Sequence, residues 1–227
     1  MVDKKEFWEN KIIGWEDGRY KLDKHNLSLL EKFSDMLSSS LRFRIAFTEK
    51  LLRKTAKGKV IVEVGCGSGL LAKTAIENGA KHFYGYDISE LAIKRAIKLA
   101  EENNISSKVT FEAKAIADMK RIDADLYFSL GTLDWITLDD IKYLFSLHSD
   151  IEFFHSYCEK RNSISQLLHR FYVYLSYKRN TKTYSPYYMT EKEIVEIFNK
   201  STSFDKNYIY RNPKLSFGAF ISTFKLD

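Results

Sequence analysis

The stretch Val60-Ile61-Val62-Glu63-Val64-Gly65-Cys66-Gly67-Ser68-Gly69 constrains this chain more than any other. Val and Ile fill four of the five positions before Gly65, which suits a strand covered on both faces. Glycine then stands at 65, 67 and 69, so the backbone can turn tightly and approach a ligand closely. Leu70 to Asn78 continues as a helix whose N-terminus faces the same ligand. Units of this kind bind nucleotides and call for an acidic residue about 20 positions on, at the tip of a second strand. Asp87 stands there, closing His82-Phe83-Tyr84-Gly85-Tyr86.

A dinucleotide fingerprint G-x-G-x-x-G requires a third glycine where this chain has Leu70. What remains is G-x-G-x-G with Glu63 two residues upstream of Gly65. With Tyr86-Asp87-Ile88-Ser89 as a second motif, the region from about 58 to 157 resembles the class I S-adenosylmethionine-dependent methyltransferases. The resemblance implies S-adenosyl-L-methionine as cofactor and S-adenosyl-L-homocysteine as product. It places the ribose hydroxyls on Asp87 and the adenine on Ile88, with Glu63, Gly65, Cys66, Gly67 and Gly69 about the methionine moiety. Taken by themselves, the glycines are an ordinary strand-to-helix turn and Glu63 a cap for neighbouring amides.

The rest of the chain alternates in the rhythm of a parallel sheet. Ser89 can cap a helix from Glu90 to Asn103. Further strands are expected at Lys108 to Glu112, Asp125 to Ser129 and Asp150 to Ser156, with a capping box Thr137/Asp140 opening the helix before the last. Thr190 and Glu193 open another helix, and Phe204 to Tyr210 and Ser216 to Phe224 read as a terminal hairpin. The expected fold is α/β: a doubly wound, mostly parallel, seven-stranded Rossmann-like methyltransferase sheet. One domain spans 1–227, comprising an N-terminal helical segment (1–57), a cofactor-binding core (58–157), a helical insertion (158–189) and a last helix with hairpin (190–227). In the N-terminal segment, Leu27, Leu30, Phe33 and Leu37, then Phe43, Phe47 and Leu51, suggest two amphipathic helices broken near Ser38-Ser39-Ser40. Ahead of them Phe7, Trp8, Ile12, Ile13 and Trp15 form a cluster that either packs on the sheet or joins a lid.

Several departures and additions bear on the site. Family members often carry an acid just past the third strand for the adenine amino group, whereas this chain has Lys114-Ala115-Ile116, leaving the adenine to backbone with Ile116 as a wall. Arg42 and Arg44 are surface arginines or partners for the cofactor carboxylate, and a helix can turn at most one inward; Arg44 is the candidate. Ser129 and Leu130, ending the fourth strand, border the cofactor, and Asp134 and Trp135 follow where many relatives have a Glu-His pair. Asp134, His155 and Tyr157 are the candidate catalytic groups, able to orient an acceptor or take its proton; the alternatives are a helix-leading acid at Asp134 and a hydrogen-bonded structural residue at His155. His155 and Tyr157 share one face of their strand with Ser156 opposite, so both reach the acceptor or neither does. His148 closes the preceding helix and reads as a C-terminal cap to its dipole.

The Asn/Asp-Pro-Pro-aromatic signature of nucleic-acid amino methylation is absent, as is a nucleophilic cysteine near this edge, and both omissions favour a small-molecule acceptor. Between Cys158 and Lys182 six basic residues face Glu159 alone, a surplus that either attracts an anionic molecule, an acidic lipid or a nucleic acid, or is a solvated helix face. Tyr172, Tyr174, Tyr177, Tyr184, Tyr187 and Tyr188 crowd the same insertion. No apolar run approaches the ~20 residues of a membrane span, and the charged first ten residues do not resemble an export signal, so a cytoplasmic location is expected. Two cysteines make no disulfide framework and neither sits in metal-ligand spacing. The reading is O-methylation of a sugar, aromatic or phosphorylated small molecule; RNA as acceptor, and a non-catalytic cofactor-binding subunit, stay open.

Overall fold

A computed structural model describes residues 5–9, 29–163, 166–167, 170 and 186–226, with backbone alone for 29–38. Its strands are β1 (Val60–Val64), β2 (His82–Asp87), β3 (Val109–Ala113), β4 (Leu126–Ser129), β5 (Phe153–Cys158), β6 (Tyr208–Tyr210) and β7 (Gly218–Ser222). Its helices are α1 (Leu29–Thr55), α2 (Leu70–Glu77), α3 (Glu90–Glu102), α4 (Leu138–Leu147) and α5 (Glu191–Ser201). One seven-stranded sheet runs β3-β2-β1-β4-β5-β7-β6. The first five strands are parallel, and β7 enters antiparallel between β5 and β6. The order reverses between β1 and β4, and ligands of such sheets bind at the strand C-termini beside that reversal.

Strand alternation divides the core into two layers. Ile61, Phe83, Phe128, Phe154 and Phe220 face α1, α2 and α3 through Leu52, Leu71, Ala75, Ile93 and Ala96. Val62, Tyr127, Phe153, Tyr157 and Ile221 face α4 and α5 through Ile141, Leu144, Phe145, Ile194 and Phe198. Every residue of β5 and β7 is buried, as a strand covered on both sides requires. Phe47 of α1 stacks on Tyr210 with ring centroids 4.7 Å apart, tying the N-terminal helix to the last strands.

The expected caps are present: Ser89 accepts from the Ala92 amide, and Thr137/Asp140 and Thr190/Glu193 both form capping boxes. The expected break at Ser38–Ser40 is not, because α1 runs through it without interruption. Serine lowers helix propensity by only a few tenths of a kcal/mol, and Ser40 Oγ donates to Leu215 O at 3.1 Å, so tertiary contact offsets it. β5 starts at Phe153 and reaches Cys158, two residues past its expected end, and β6 is confined to Tyr208–Tyr210. Ile12, Ile13, Trp15 and the insertion tyrosines 172, 174, 177 and 184 lie outside the described residues. No helix among the described residues is long and apolar enough to cross a membrane.

Candidate cofactor and acceptor site

The glycine turn is built by β1, β2 and the end of β4 together. Gly65 N and Cys66 N both donate to Tyr86 O, at 2.7 and 3.0 Å, folding the turn back onto β2. Gly65 has φ +73°, and a Cβ there would lie 2.1 Å from Thr132 Oγ1. That hydroxyl donates to Val64 O at 2.9 Å, so the two loops flanking the strand-order reversal are pinned to each other. Gly67 N donates to Asp87 Oδ2 at 2.9 Å and Ser89 N to Asp87 Oδ1 at 2.9 Å. The carboxylate is thereby aimed into the turn from the tip of β2. Burial pushes the Asp87 pKa up, and the hydrogen bonds from Ser89, Gly67 and Ile88 amides oppose that rise.

A cavity of about 240 Å³ opens over this turn. Glu63, Gly65, Cys66, Gly67, Asp87, Ile88, Ile116 and Leu130 all line it, as the sequence led one to expect of each. The remaining wall comes from Trp8, Ile45, Val64, Leu70, Leu71, Tyr86, Lys114, Ala115, Ala117, Gly131, Thr132, Trp135, Ile136 and Asp140. Trp8 and Trp135 meet edge-on with centroids 5.3 Å apart, so the N-terminal turn supplies part of this wall. Lys114 Nζ is held by Glu112 at 2.7 Å and lies 5.4 Å from the centre of the Tyr86 ring.

Three residues assigned to the cofactor stand elsewhere. Gly69 is the N-cap of α2, and a Cβ on it would meet the Phe111 ring at 2.8 Å, so its smallness serves helix-to-strand packing. Ser129 points to the α4 side, where its hydroxyl is 2.9 Å from His155 Nδ1. Neither Arg42 nor Arg44 lines the cavity. Arg44 is 4% exposed, paired with Asp134 at 3.8 Å and donating to Ser156 Oγ at 3.4 Å and Cys158 Sγ at 3.7 Å.

The three candidate catalytic groups also miss the cavity. Asp134 is buried, with Oδ1 accepting from Cys158 N at 2.5 Å and Oδ2 from Cys158 Sγ at 3.1 Å. Desolvation raises its pKa against the pull of Arg44, and burial beside Asp134 pushes the Cys158 thiol up. His155 and Tyr157 share a face as expected, but it is the face covered by α4 and α5, and Ser156 takes the other. His155 Nε2 lies 3.1 Å from His148 Nε2, and burial depresses both imidazoles, His148 to about 3. His148 does stand at the C-cap of α4 as expected, but burial disfavours the imidazolium that would complement the helix dipole. The Tyr157 hydroxyl is buried without a hydrogen-bond partner among the described residues, and its pKa is raised by burial. Among the described residues no group of three or more His, Cys, Asp or Glu could hold a metal ion, and neither Cys66 nor Cys158 is disulfide-bonded.

Of the wall residues not assigned to the cofactor, Thr132 follows Gly131 at the second loop of the reversal, a position the parallel-strand rhythm makes readable. Ile45 carries no local signal, since it arrives from an element distant in sequence, whereas Trp8 belongs to the N-terminal aromatic cluster. Of the insertion's basic residues, Arg161 pairs with Glu159 and Arg170 lies 4.7 Å from the Tyr188 ring, while Lys178, Arg179 and Lys182 lie outside the described residues.

Residues 55–200 match the family described as "Methyltransferase domain". The chain belongs to this methyltransferase family. It has the class I, S-adenosylmethionine-dependent architecture, with the glycine turn and Asp87 at the positions that motif order requires. The methyltransferase is 29% identical over 111 residues to the ribosomal protein L11 methyltransferase of Lachnospira eligens, a match covering 46% of this chain and 35% of that protein. It is 41% identical over 54 residues to protein arginine N-methyltransferase 1 of Schizosaccharomyces pombe, covering 24% of this chain and 16% of that one. The chain thus spans about a third or less of these curated relatives. In fold, the methyltransferase is similar to magnesium protoporphyrin IX methyltransferase from Synechocystis PCC 6803, solved with bound SAH, at TM-score 0.71, 16% identity and 96% coverage of both chains.

Proposed function

We propose that this methyltransferase acts on a small molecule whose accepting atom needs no protein base. The observation that supports a small acceptor is the aromatic wall of the cavity, where Trp8 near the N-terminus packs against Trp135 of the β4 loop. A concave site walled in this way suits a compact, largely apolar ligand better than an extended polymer. The residues present fit the cofactor: Asp87 for the ribose hydroxyls, Ile88 and Ile116 for the adenine, and Glu63, Gly65, Cys66 and Gly67 for the methionine moiety. The close approach at Gly65, where a side chain would collide with Thr132, leaves backbone as the floor. When bound, S-adenosylmethionine supplies a sulfonium methyl open to direct displacement.

Among the described residues the ionisable groups on the wall are Glu63, Cys66, Tyr86, Asp87, Lys114 and Asp140. Glu63, Cys66 and Asp87 belong to the cofactor in this reading. Tyr86 is shifted up to about 12 by burial, and Asp140 accepts from Thr137 N at 3.0 Å in the α4 capping box. In this reading the described wall contributes alignment, which suffices for an acceptor already nucleophilic at neutral pH, such as a carboxylate or an acidic phenol.

The test is transfer of tritium from methyl-labelled S-adenosylmethionine to a cell extract split into small-molecule, protein and RNA fractions. Label in the small-molecule fraction, on a compound heavier by one methylene, is expected. Label confined to protein or RNA, or none in any fraction, overturns the proposal.

A further inference from the structure

Glu9 stands in the helical turn at residues 5–9, yet it binds the start of α3. Its Oε1 accepts from Glu90 N at 2.5 Å, and its Oε2 accepts from Leu91 N and from Ser89 Oγ, each at 3.1 Å. The first amides of a helix have no intrahelical acceptor, and negative charge is favoured there. Lys5 pairs with Glu90 on the same helix. Ser89 connects this contact to the cofactor site, because its own amide donates to Asp87 Oδ1 at 2.9 Å. On the other side of Glu9, Trp8 lines the cavity and packs against Phe7 and Trp135 with centroids 5.2 and 5.3 Å apart.

The contacts that hold residues 5–9 in place include buried Phe7, the Lys5 pair with Glu90, the Trp8 contact with Trp135 and the Glu9 carboxylate. The start of α3 does not depend on Glu9 to the same degree, because Ser89 Oγ caps Ala92 N at 3.1 Å from within the helix itself.

We propose that Glu9 is a positioning residue: by gripping the start of α3 beside Asp87, it holds Trp8 as a wall of the cofactor cavity and slows release of the cofactor and its product. The proposal rests on the cofactor reading above. It gives Glu9 a function in ligand residence that neither cap geometry nor family membership assigns.

The experiment measures dissociation of tritiated S-adenosylhomocysteine, chased with unlabelled compound, from wild type, Glu9→Ala, Glu9→Gln, Trp8→Ala and the double variant Trp8→Ala/Glu9→Ala. Loss of a cap-like interaction predicts about fivefold faster release from Glu9→Ala. Glu9→Gln keeps an accepting oxygen and should fall between it and wild type. If Glu9 acts through Trp8, the double variant releases no faster than Trp8→Ala, since residues that act as one unit are not additive. Unchanged release from Glu9→Ala, or effects that multiply in the double variant, overturns the proposal, and a lowered melting midpoint with unchanged release assigns Glu9 to stability alone. Wild type that fails to bind S-adenosylhomocysteine instead removes the cofactor reading itself, which separates the two failures.

Discussion

Replacing Asp134 by alanine distinguishes a buried structural acid from a catalytic one. The carboxylate stands between the Cys158 amide and thiol and the Arg44 guanidinium, and Arg44 and Asp134 are each 4% exposed. Removing one partner of a buried ion pair leaves the other charge in a poorly solvating interior, at a cost of about 3–5 kcal/mol. The Cys158 amide loses its acceptor in the same step, a contribution already contained in that range. Against a total stability of about 5–15 kcal/mol, this is a severe lesion. Urea unfolding followed by circular dichroism should show it as a midpoint lowered by roughly 1 M or more, since m is about 1–3 kcal/mol/M. Removing both charges with apolar groups, Arg44→Met with Asp134→Leu, should recover much of the loss, because a buried pair replaced by hydrophobes is often neutral. An Asp134→Ala protein with an unchanged midpoint and abolished methyl transfer would refute this reasoning and return Asp134 to the acceptor.

Two further outcomes follow from the geometry. His148 and His155 have folded pKa values depressed by burial, so their stability contribution is present above the ordinary imidazole value of about 6.5 and is lost as pH falls toward their folded values. Denaturation from pH 7.5 down to 5 should show stability declining toward about 1.4 kcal/mol per pH unit for each histidine, and His148→Gln should reduce that slope; an unchanged slope contradicts the assignment. At Gly65, alanine meets Thr132 Oγ1 at 2.1 Å and a positive φ, costing about 1–2 kcal/mol in strain alone, and should lower S-adenosylhomocysteine affinity at least about tenfold. Gly58→Ala shares the positive φ but has nothing within 4 Å, so calorimetry should find strain in its melting and no change in binding.

The glycine turn and the acid at the tip of β2 were legible because their signals are local. Glu63, the alternating glycines and Asp87 are separated by one strand-helix-strand unit, and their spacing dictates that they converge. The acceptor half depends on which layer covers each strand face. Alternation alone places His155 and Tyr157 together, but only the packing of Phe145 and His148 against β5 decides that this face is core. Arg44 illustrates the same limit: helical spacing points one arginine inward, and the inward environment turned out to be Asp134 and Cys158. The continuity of α1 through three serines reflects weak propensity yielding to contact with the segment before β7. Trp8 lines the cavity next to Glu9, whose bonds reach residues more than 80 positions away, a pairing that no local sequence signature specifies.

The most direct test of the cofactor site is titration calorimetry of S-adenosylhomocysteine into wild type and Asp87→Ala, with circular dichroism to confirm that both are folded. Asp87 is a charged acceptor at the tip of β2 in the cavity wall, and a hydrogen bond to a charged group contributes at least ~1.5 kcal/mol. The expected result is binding by wild type and an affinity weakened at least about tenfold in the variant; equal affinities for the two proteins would contradict the placement of the cofactor on Asp87.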